Sequence, residues 1–183
     1  VLGVFDLLRD RDCFVDVLDL DRFLEGLSRT RLAGRMELIC EQPRILIDGA
    51  HNAASVCAVM ECVGFCCSNE GKFDKDELVV IFGCAKGKDV SDMIRFVLQD
   101  CDNVIFTRAV DNPRALAPEI LEEEFGKIAD ESKVCRVADS LSDALDLAVD
   151  IVGDNGLIFV TGSFYLAGEA KKLVFERFSE QKG

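Results

Sequence analysis

Apolar and polar positions alternate in blocks along most of the chain, and each apolar block predicts an element of secondary structure. Continuous apolar runs predict strands at residues 36–40, 44–47, 78–82, 103–106, 134–137 and 156–160. Between them, apolar residues three or four positions apart predict helices at residues 52–62, 90–98, 118–128, 140–152 and 165–178. Because the strands are apolar throughout, both faces of their sheet must be covered. The sequence therefore predicts an α/β fold, a Rossmann-like and mostly parallel sheet with helices on both faces.

The first 28 residues follow a different rhythm. Residues 3–9 form one short amphipathic helical pattern, and a second begins after Asp19 or Asp21, with apolar residues at helical spacing up to Leu27. The polar stretch "SRTRLAG", residues 28–34, ends in glycine and predicts a linker or a turn. We therefore expect residues 1–28 to be separate from a main domain that spans residues 29–183.

Composition excludes several classes of protein. The 183 residues are 49% hydrophobic and carry a formal net charge of −13, which disfavours nucleic acid and anionic membranes as partners. No apolar run reaches the roughly 18 residues of a membrane span, and no signal-peptide layout is present. Since the chain begins with Val1 rather than Met, we expect it to be part of a longer cytoplasmic protein.

Cysteine is abundant, and its distribution favours reduced thiols. The chain has 9 cysteines, an odd number, and most of them lie among apolar residues. The densest group, at Cys62, Cys66 and Cys67, lacks the paired spacing of a zinc site, so we predict no metal site. A cysteine-based redox protein is disfavoured because no Cys-x-x-Cys motif is present.

The stretch "RILIDGAHNAAS", residues 44–55, is the most informative. A predicted strand ends at Asp48-Gly49, and the only histidine of the chain, His51, follows with Asn52. Ligands of parallel sheets bind at such carboxyl ends, where Asp48 could accept hydrogen bonds from vicinal hydroxyls and Asn52 could cap the next helix. Structural roles alone would also explain these residues, and both interpretations stay open at this point.

Ordered motifs resemble a known family over about residues 29–178. They read "RLAGRMEL", "PRILIDGAHNAAS", "VVIFGCAKGKD", "NVIFTRAVDNPRALAPEIL" and "GLIFVTGSFYLAGEAKKLV". In this order they resemble the C-terminal domain of folylpolyglutamate synthase/dihydrofolate synthase, the folate branch of the Mur ligase superfamily. The chain departs from the family pattern at Leu32-Ala33, where Trp-Pro is usual, at Ala53, where Pro is usual, and at Gly87, where an acid is usual.

The resemblance implies an ATP-dependent acid–amino-acid ligase that adds L-glutamate to a folate or to dihydropteroate through an acyl phosphate. It implies ATP and Mg²⁺ as cofactors, with the magnesium ligands in an N-terminal ATPase domain whose last helices would be residues 1–28. The fragment alone would be inactive, and the parent protein a monomer. By resemblance, Arg35, Asp48 and His51 would contact the nucleotide, while Asn52, Ser163 and Tyr165 would contact substrate.

Several alternatives remain. The turn Gly83–Asp89 is one residue short of a phosphate-binding loop and ends in an acid, so it predicts a solvated turn. Arg114 is interpreted as a loop charge rather than an anion contact. Other Mur-type ligases and a non-catalytic nucleotide-binding module are competing assignments; no Gly-x-Gly-x-x-Gly follows the first strand, which disfavours a dinucleotide site.

Overall fold

The computed structural model describes residues 20–29, 32–67, 78–153 and 156–179. The chain divides between Leu32 and Ala33 into two units. The described part of the first unit is helix α1, Leu20–Arg29, with an acid in its first turn and a base in its last, as the helix dipole favours. The predicted helical pattern at residues 3–9 lies outside the described residues.

The second unit alternates strands and helices. Its strands are β1 Glu37–Glu41, β2 Arg44–Ile47, β3 Leu78–Phe82, β4 Asn103–Phe106, β5 Val134–Val137 and β6 Leu157–Thr161. Its helices are α2 Ala53–Cys66, α3 Val90–Asp100, α4 Pro118–Ile128, α5 Leu141–Val152 and α6 Phe164–Ser179. None of these described helices is both long enough and apolar enough to cross a membrane.

The strands form one sheet in the order β1-β2-β6-β3-β4-β5. Strands β2, β6, β3, β4 and β5 run parallel to one another. Only β1 runs antiparallel, paired with β2 so that Glu37 lies opposite Ile47. The prediction of a mostly parallel sheet is confirmed, and the hairpin of β1 and β2 forms one edge of it.

Helices cover both faces of the sheet. Val80 and Phe82 of β3 pack with α2, α3 and α4 in one buried cluster. Val79 and Ile81, which alternate with them, pack with α5 and α6 in a second cluster. Each fully buried aliphatic or aromatic side chain of this kind stabilises the fold by roughly 1.5–3 kcal/mol. These two clusters explain the apolar runs of β2, β3, β4 and β6, as predicted. The edge strands β1 and β5 are only partly buried.

Polar residues set the starts of the helices. Asn52 caps α2 in a capping box with Ser55, which confirms the capping prediction. Asp89 caps α3 and Ser140 caps α5, each accepting a hydrogen bond from a backbone N–H three residues later. Pro118 opens α4 at a position where its missing N–H costs nothing.

The position of β6 creates a crevice at one end of the sheet. This strand lies between β2 and β3, although it is the last strand in the sequence. The helix after β2 packs on one face, whereas the helix after β6 packs on the other. Adjacent parallel strands whose connections leave toward opposite faces open a crevice at their carboxyl ends, the usual place for ligands in such sheets.

Candidate functional site

Three segments meet at the carboxyl ends of β2 and β6. They are residues 33–36 before β1, residues 48–52 after β2, and residues 162–165 after β6. The backbone N–H of Asp48 donates to the carbonyl of Val160 at 3.0 Å, and that of Gly49 donates to the carbonyl of Gly34 at 2.8 Å. The crevice is therefore lined by backbone that is already hydrogen-bonded, which places its side chains reproducibly.

Phe164 lies at the centre of the site. The Cζ atom of Arg35 lies 4.3 Å from the centroid of the Phe164 ring. The imidazole of His51 lies 5.4 Å from the same ring, centroid to centroid, at an interplanar angle of 44°. Gly49 leaves room for the ring, since a Cβ there would overlap it. A cation–π contact at a partly exposed site contributes about 0.5–1 kcal/mol. We call Arg35, His51 and Phe164 the rim.

Asp48 is buried, and its carboxylate accepts hydrogen bonds from the backbone. One carboxylate oxygen accepts from the N–H of Ala50 at 2.7 Å, and the other from the N–H of Met36 at 2.9 Å. The guanidinium of Arg35 lies 3.7 Å from the first oxygen. Only 2% of Asp48 is exposed. The expected contact of Asp48 with ligand hydroxyls stays a prediction; in this structure the carboxylate holds the segment that carries Arg35.

The backbone on both sides of Arg35 is in the left-handed region. Gly34 has φ 65° and Met36 has φ 41°. Glycine adopts such values freely, but Met36 does so at an energetic cost that its surroundings must offset. The hydrogen bond from its N–H to Asp48 is one such compensation. The position of Arg35 is therefore set by tertiary contacts rather than by local preference.

His51 and Asn52 connect the site to α2. Nδ1 of His51 lies 3.1 Å from the carbonyl oxygen of Gly49, and since a carbonyl only accepts, this nitrogen carries the proton in the hydrogen bond. In the neutral ring Nε2 is then an acceptor. The side-chain oxygen of Asn52 accepts from the N–H of Ser55 at 2.9 Å. The capping role of Asn52 is established, and its substrate contact stays a prediction.

Ser163 and Tyr165 lie on either side of Phe164. The Oγ of Ser163 accepts from the backbone N–H of Tyr165 at 3.2 Å, and its side chain is largely buried. Tyr165 is 60% exposed. It lines an open groove of about 490 Å³ together with the ring of Phe164 and three charged residues, Asp111, Glu169 and Lys172. The groove and the rim thus form one continuous surface.

Glu169 forms a hydrogen bond between two segments that line this groove. Its carboxylate accepts from the backbone N–H of Val110 at 2.9 Å, which joins α6 to the loop after β4. Partial burial raises the pKa of Glu169, and the nearby charge of Asp111 adds to this effect, while the hydrogen bond from Val110 opposes it. The hydrogen bond of Glu169 to Val110 therefore stabilises the groove lining.

Two other stretches singled out in the sequence have structural roles. The segment Gly83–Asp89 is a turn between β3 and α3, as predicted. In it Gly87 has φ 79°, and Asp89 caps α3. Arg114 is exposed, and its backbone N–H donates to the side chain of Asn112. Among the described residues, no group of three or more His, Cys, Asp or Glu side chains is arranged to hold a metal ion.

The structure brings Arg35, Asp48 and His51 together, with Ser163 and Tyr165 beside them. Sequence reasoning missed Phe164, the residue that Arg35 and His51 share. Its position at the site depends on β6 lying next to β2, which brings the first side chain of α6 to the same strand ends as Gly49.

Fold and site together define a doubly wound α/β domain whose polar and aromatic loops converge at the carboxyl ends of two adjacent parallel strands. The family model for the Mur ligase, glutamate ligase domain, matches residues 34–164. The chain belongs to this family. The matched range begins at Gly34, beside Arg35, and ends at Phe164, so it includes the whole rim.

Curated proteins similar in sequence to this chain are named as enzymes of the same family. The dihydrofolate synthase/folylpolyglutamate synthase of Mycobacterium tuberculosis is 30% identical over 169 residues, which cover 85% of this chain and 33% of that protein. A probable bifunctional folylpolyglutamate synthase/dihydropteroate synthase of Haloferax volcanii is 27% identical over 84% of this chain and 17% of its own length. The chain thus spans a third or less of the length of these curated relatives.

Solved structures show the same fold. Folylpolyglutamate synthase of M. tuberculosis, solved in complex with ADP and AMPPCP, superimposes with a TM-score of 0.72 at 29% identity, over 86% of this chain and 36% of that one. A bifunctional folylpolyglutamate synthase/dihydrofolate synthase of Yersinia pestis, complexed with AMPPNP and a Mn ion, superimposes with a TM-score of 0.69 at 19% identity, over 86% and 35%. The second likeness concerns the fold alone.

Proposed function

We propose that this chain acts as the C-terminal domain of a cytoplasmic, monomeric ATP-dependent ligase that adds L-glutamate to a folate or to dihydropteroate. In this proposal residues 1–28 end a preceding ATPase domain, and residues 29–183 form the Mur ligase domain. The observation that carries it is the rim of Arg35, His51 and Phe164, which lies at the carboxyl ends of β2 and β6 within a family-matched range.

The rim suits a nucleotide in both shape and charge. Arg35 presents a guanidinium whose side chain is 45% exposed, and its carboxylate partner Asp48 lies beyond ordinary hydrogen-bond distance at 3.7 Å. Donors of Arg35 therefore remain for phosphate or ribose oxygens, which guanidinium groups bind well. Phe164 and His51 add adjacent ring surfaces for a purine to contact.

The groove beside the rim suits the amino-acid substrate. The hydroxyl of Ser163 accepts from Tyr165 and can still donate its own hydrogen to a carboxylate. The groove lining combines the ammonium group of Lys172 with the carboxylates of Asp111 and Glu169, and glutamate carries both carboxylates and an amine. Tyr165 lines the groove and Ser163 lies next to Phe164, so both are proposed as substrate contacts. Asn52 is proposed as one on the resemblance to the family alone.

Magnesium is assigned to the remainder of the proposed parent protein. The described residues offer no cluster of three metal-ligating side chains, so they do not fit a Mg²⁺ site by themselves. When bound, the ion would supply charge neutralisation for the phosphates.

The proposed reaction proceeds in two steps. A substrate carboxylate oxygen attacks the γ-phosphorus of ATP and ADP leaves; the amine of glutamate then attacks the acyl carbon, phosphate leaves, and the amine proton goes to solvent or a base. Such catalysis depends on positioning and on charge stabilisation. The residues of this chain would orient the nucleotide, orient glutamate and exclude water when the domains close.

A ligation assay tests the proposal. ATP-dependent glutamate incorporation is measured with dihydropteroate and with a reduced folate, for the 183-residue chain alone and for the full-length parent. We expect turnover only in the parent. In the parent, Arg35→Ala should raise the KM for ATP about 10-fold or more, because a hydrogen bond to a charged group contributes about 1.5–3 kcal/mol.

The matched control is Arg95→Ala, which removes an exposed arginine of α3 and should leave the KM for ATP unchanged. Ligation by the 183-residue chain alone would contradict the proposal that catalysis also requires the preceding ATPase domain. Absence of ligation by the parent on either acceptor, with nucleotide binding retained, would instead favour a non-catalytic module or a Mur-type ligase with another acceptor.

A further inference from the structure

We propose that Glu37 is a positioning residue that holds Arg35 over Phe164, by bridging the segment before β1 to helix α6. The inference deepens the proposed function, since it concerns how the nucleotide-facing rim is assembled. Glu37 is not itself part of the rim. It acts through the two elements that carry the cation and the ring.

The carboxylate of Glu37 uses each oxygen for a different element. Oε2 accepts from the backbone N–H of Gly34 at 2.8 Å. Oε1 accepts from Nζ of Lys171 at 2.6 Å. Gly34 directly precedes Arg35, and Lys171 lies seven residues after Phe164 in the same helix, about two turns on. One side chain therefore joins the backbone beside the cation to the helix that begins with the aromatic ring.

The segment needs this bridge because its backbone does not adopt the observed conformation by preference. Gly34 and Met36 both have positive φ on either side of Arg35; glycine adopts such values freely, whereas Met36 does so at an energetic cost. Three hydrogen bonds hold the segment: from the N–H of Gly34 to Glu37, from the N–H of Met36 to Asp48, and from the N–H of Gly49 to the carbonyl of Gly34. Of these acceptors, Glu37 also accepts a hydrogen bond from a side chain of α6, that of Lys171.

The charge state of Glu37 suits this role. The hydrogen bond from Lys171, with that from Gly34, lowers the pKa of Glu37, so the carboxylate is ionised at neutral pH. The ion pair is partly exposed, with 48% of the Lys171 side chain and 26% of the Glu37 side chain accessible. Exposed pairs add little to global stability, so its loss should change the local placement of Arg35 more than the fold.

A spectroscopic experiment on the chain tests the position directly. The side-chain protons of Arg35 lie over the Phe164 ring and should be shifted upfield by its ring current. In Glu37→Ala both hydrogen bonds are lost, and these shifts should move most of the way to exposed-arginine values. Glu37→Gln keeps an acceptor for Gly34 but loses the ion pair, and should give a smaller change.

The matched control is Glu124→Ala, which removes another partly exposed carboxylate paired with a lysine, Lys127 of α4. It should leave the Arg35 shifts in place. If Glu37→Ala leaves them unchanged as well, the proposal is refuted whatever the ligase activity. If they move, the positioning role stands.

Kinetics of the full-length parent give the second readout. Glu37→Ala should raise the KM for ATP about fivefold with a smaller effect on kcat, and this increase should disappear when Arg35 is already alanine. Additive effects of the two substitutions would contradict action through Arg35. If the Arg35 shifts move in Glu37→Ala but Arg35→Ala itself leaves the KM for ATP unchanged, the nucleotide assignment fails while the positioning of Arg35 by Glu37 remains.

Discussion

Gly49→Ala perturbs the rim with a single methyl group. A Cβ at this position would lie 2.8 Å from Cγ of Phe164 and closer still to two other ring atoms. The φ of Gly49 is not in the left-handed range, so an alanine meets no backbone strain there. The substitution therefore isolates one contact, and the ring must move because the strand-end backbone of Gly49 is held by hydrogen bonds.

The expected cost follows from what the ring loses. Overpacking of a well-packed core costs about 1–3 kcal/mol, because side chains and backbone must shift to accommodate the added atoms. Phe164 is 44% exposed and can rotate toward solvent, so the lower part of that range applies. Its cation–π contact with Arg35 contributes about 0.5–1 kcal/mol. We expect a loss of about 1.5 kcal/mol, which corresponds to about 3–6 °C in Tm for a domain of this size.

Calorimetry and nucleotide titration measure the two consequences. Under the proposed function, displacing the ring should also weaken ATP binding in the full-length parent by about fivefold. This corresponds to a loss of about 1 kcal/mol, because a factor of ten corresponds to about 1.4 kcal/mol. The control is Gly126→Ala in α4, where a Cβ meets nothing within 4 Å and alanine should stabilise the helix. Unchanged Tm and unchanged affinity in Gly49→Ala would refute the reasoning.

Two further predictions concern buried groups. Asp48→Asn should lower the free energy of unfolding by about 1–3 kcal/mol, because one of the two backbone N–H groups that donate to the carboxylate would then face an NH₂ donor. Urea unfolding would measure this loss. A variant as stable as the wild type would contradict the anchoring role of Asp48. Burial raises the pKa of Cys101 to about 12 and that of Cys84 to about 11. At pH 8 native alkylation, mapped by mass spectrometry, should therefore spare both and modify the exposed Cys62; equal labelling would disprove their burial.

Strands were predicted well because each apolar run ends abruptly. The bounds of β2, β3, β4 and β5 agree with the prediction residue for residue. The one-residue shifts in β1 and β6 arise where polar residues join the ladder: Glu41 pairs with Arg44, and Thr161 pairs with Phe82. A polar residue at a strand end continues the backbone pairing whatever its side chain, which a hydrophobic pattern cannot indicate.

Helix α2 shows why helix ends were harder to predict. The sequence pattern placed its end near Cys62, but the helix continues to Cys66 through Gly64. Glycine disfavours helix by about 1 kcal/mol relative to alanine, so local preference argues against this turn. A Cβ on Gly64 would lie 2.7 Å from a carboxylate oxygen of Asp100 in α3. Close packing of two helices, which the sequence alone does not reveal, overrides the preference.

The sequence indicates those residues of the candidate site that lie next to a strand end, but not those brought there by the strand order. Residues adjacent in sequence, such as His51 and Asn52, were assigned to the crevice because they follow a strand. The importance of Phe164 depends on β6 lying next to β2, although about 110 residues separate the two strands in sequence. An aromatic residue at helical spacing is ordinarily interpreted as core, and only the strand order places this one against Gly49.

The strongly acidic composition is compatible with an anionic ligand at this site. The chain carries a net charge of −13, which taken as a whole opposes binding of a nucleotide. At physiological ionic strength, however, exposed charges more than about 8 Å away are largely screened. What a phosphate experiences is then set by nearby groups: the guanidinium of Arg35 is partly exposed, whereas the carboxylate of Asp48 is buried and already shared between two backbone N–H groups. At the rim the exposed member of this ion pair is thus the cation, Arg35. Under the proposed function, affinity for nucleotide should fall with salt less steeply than for a surface of many lysines.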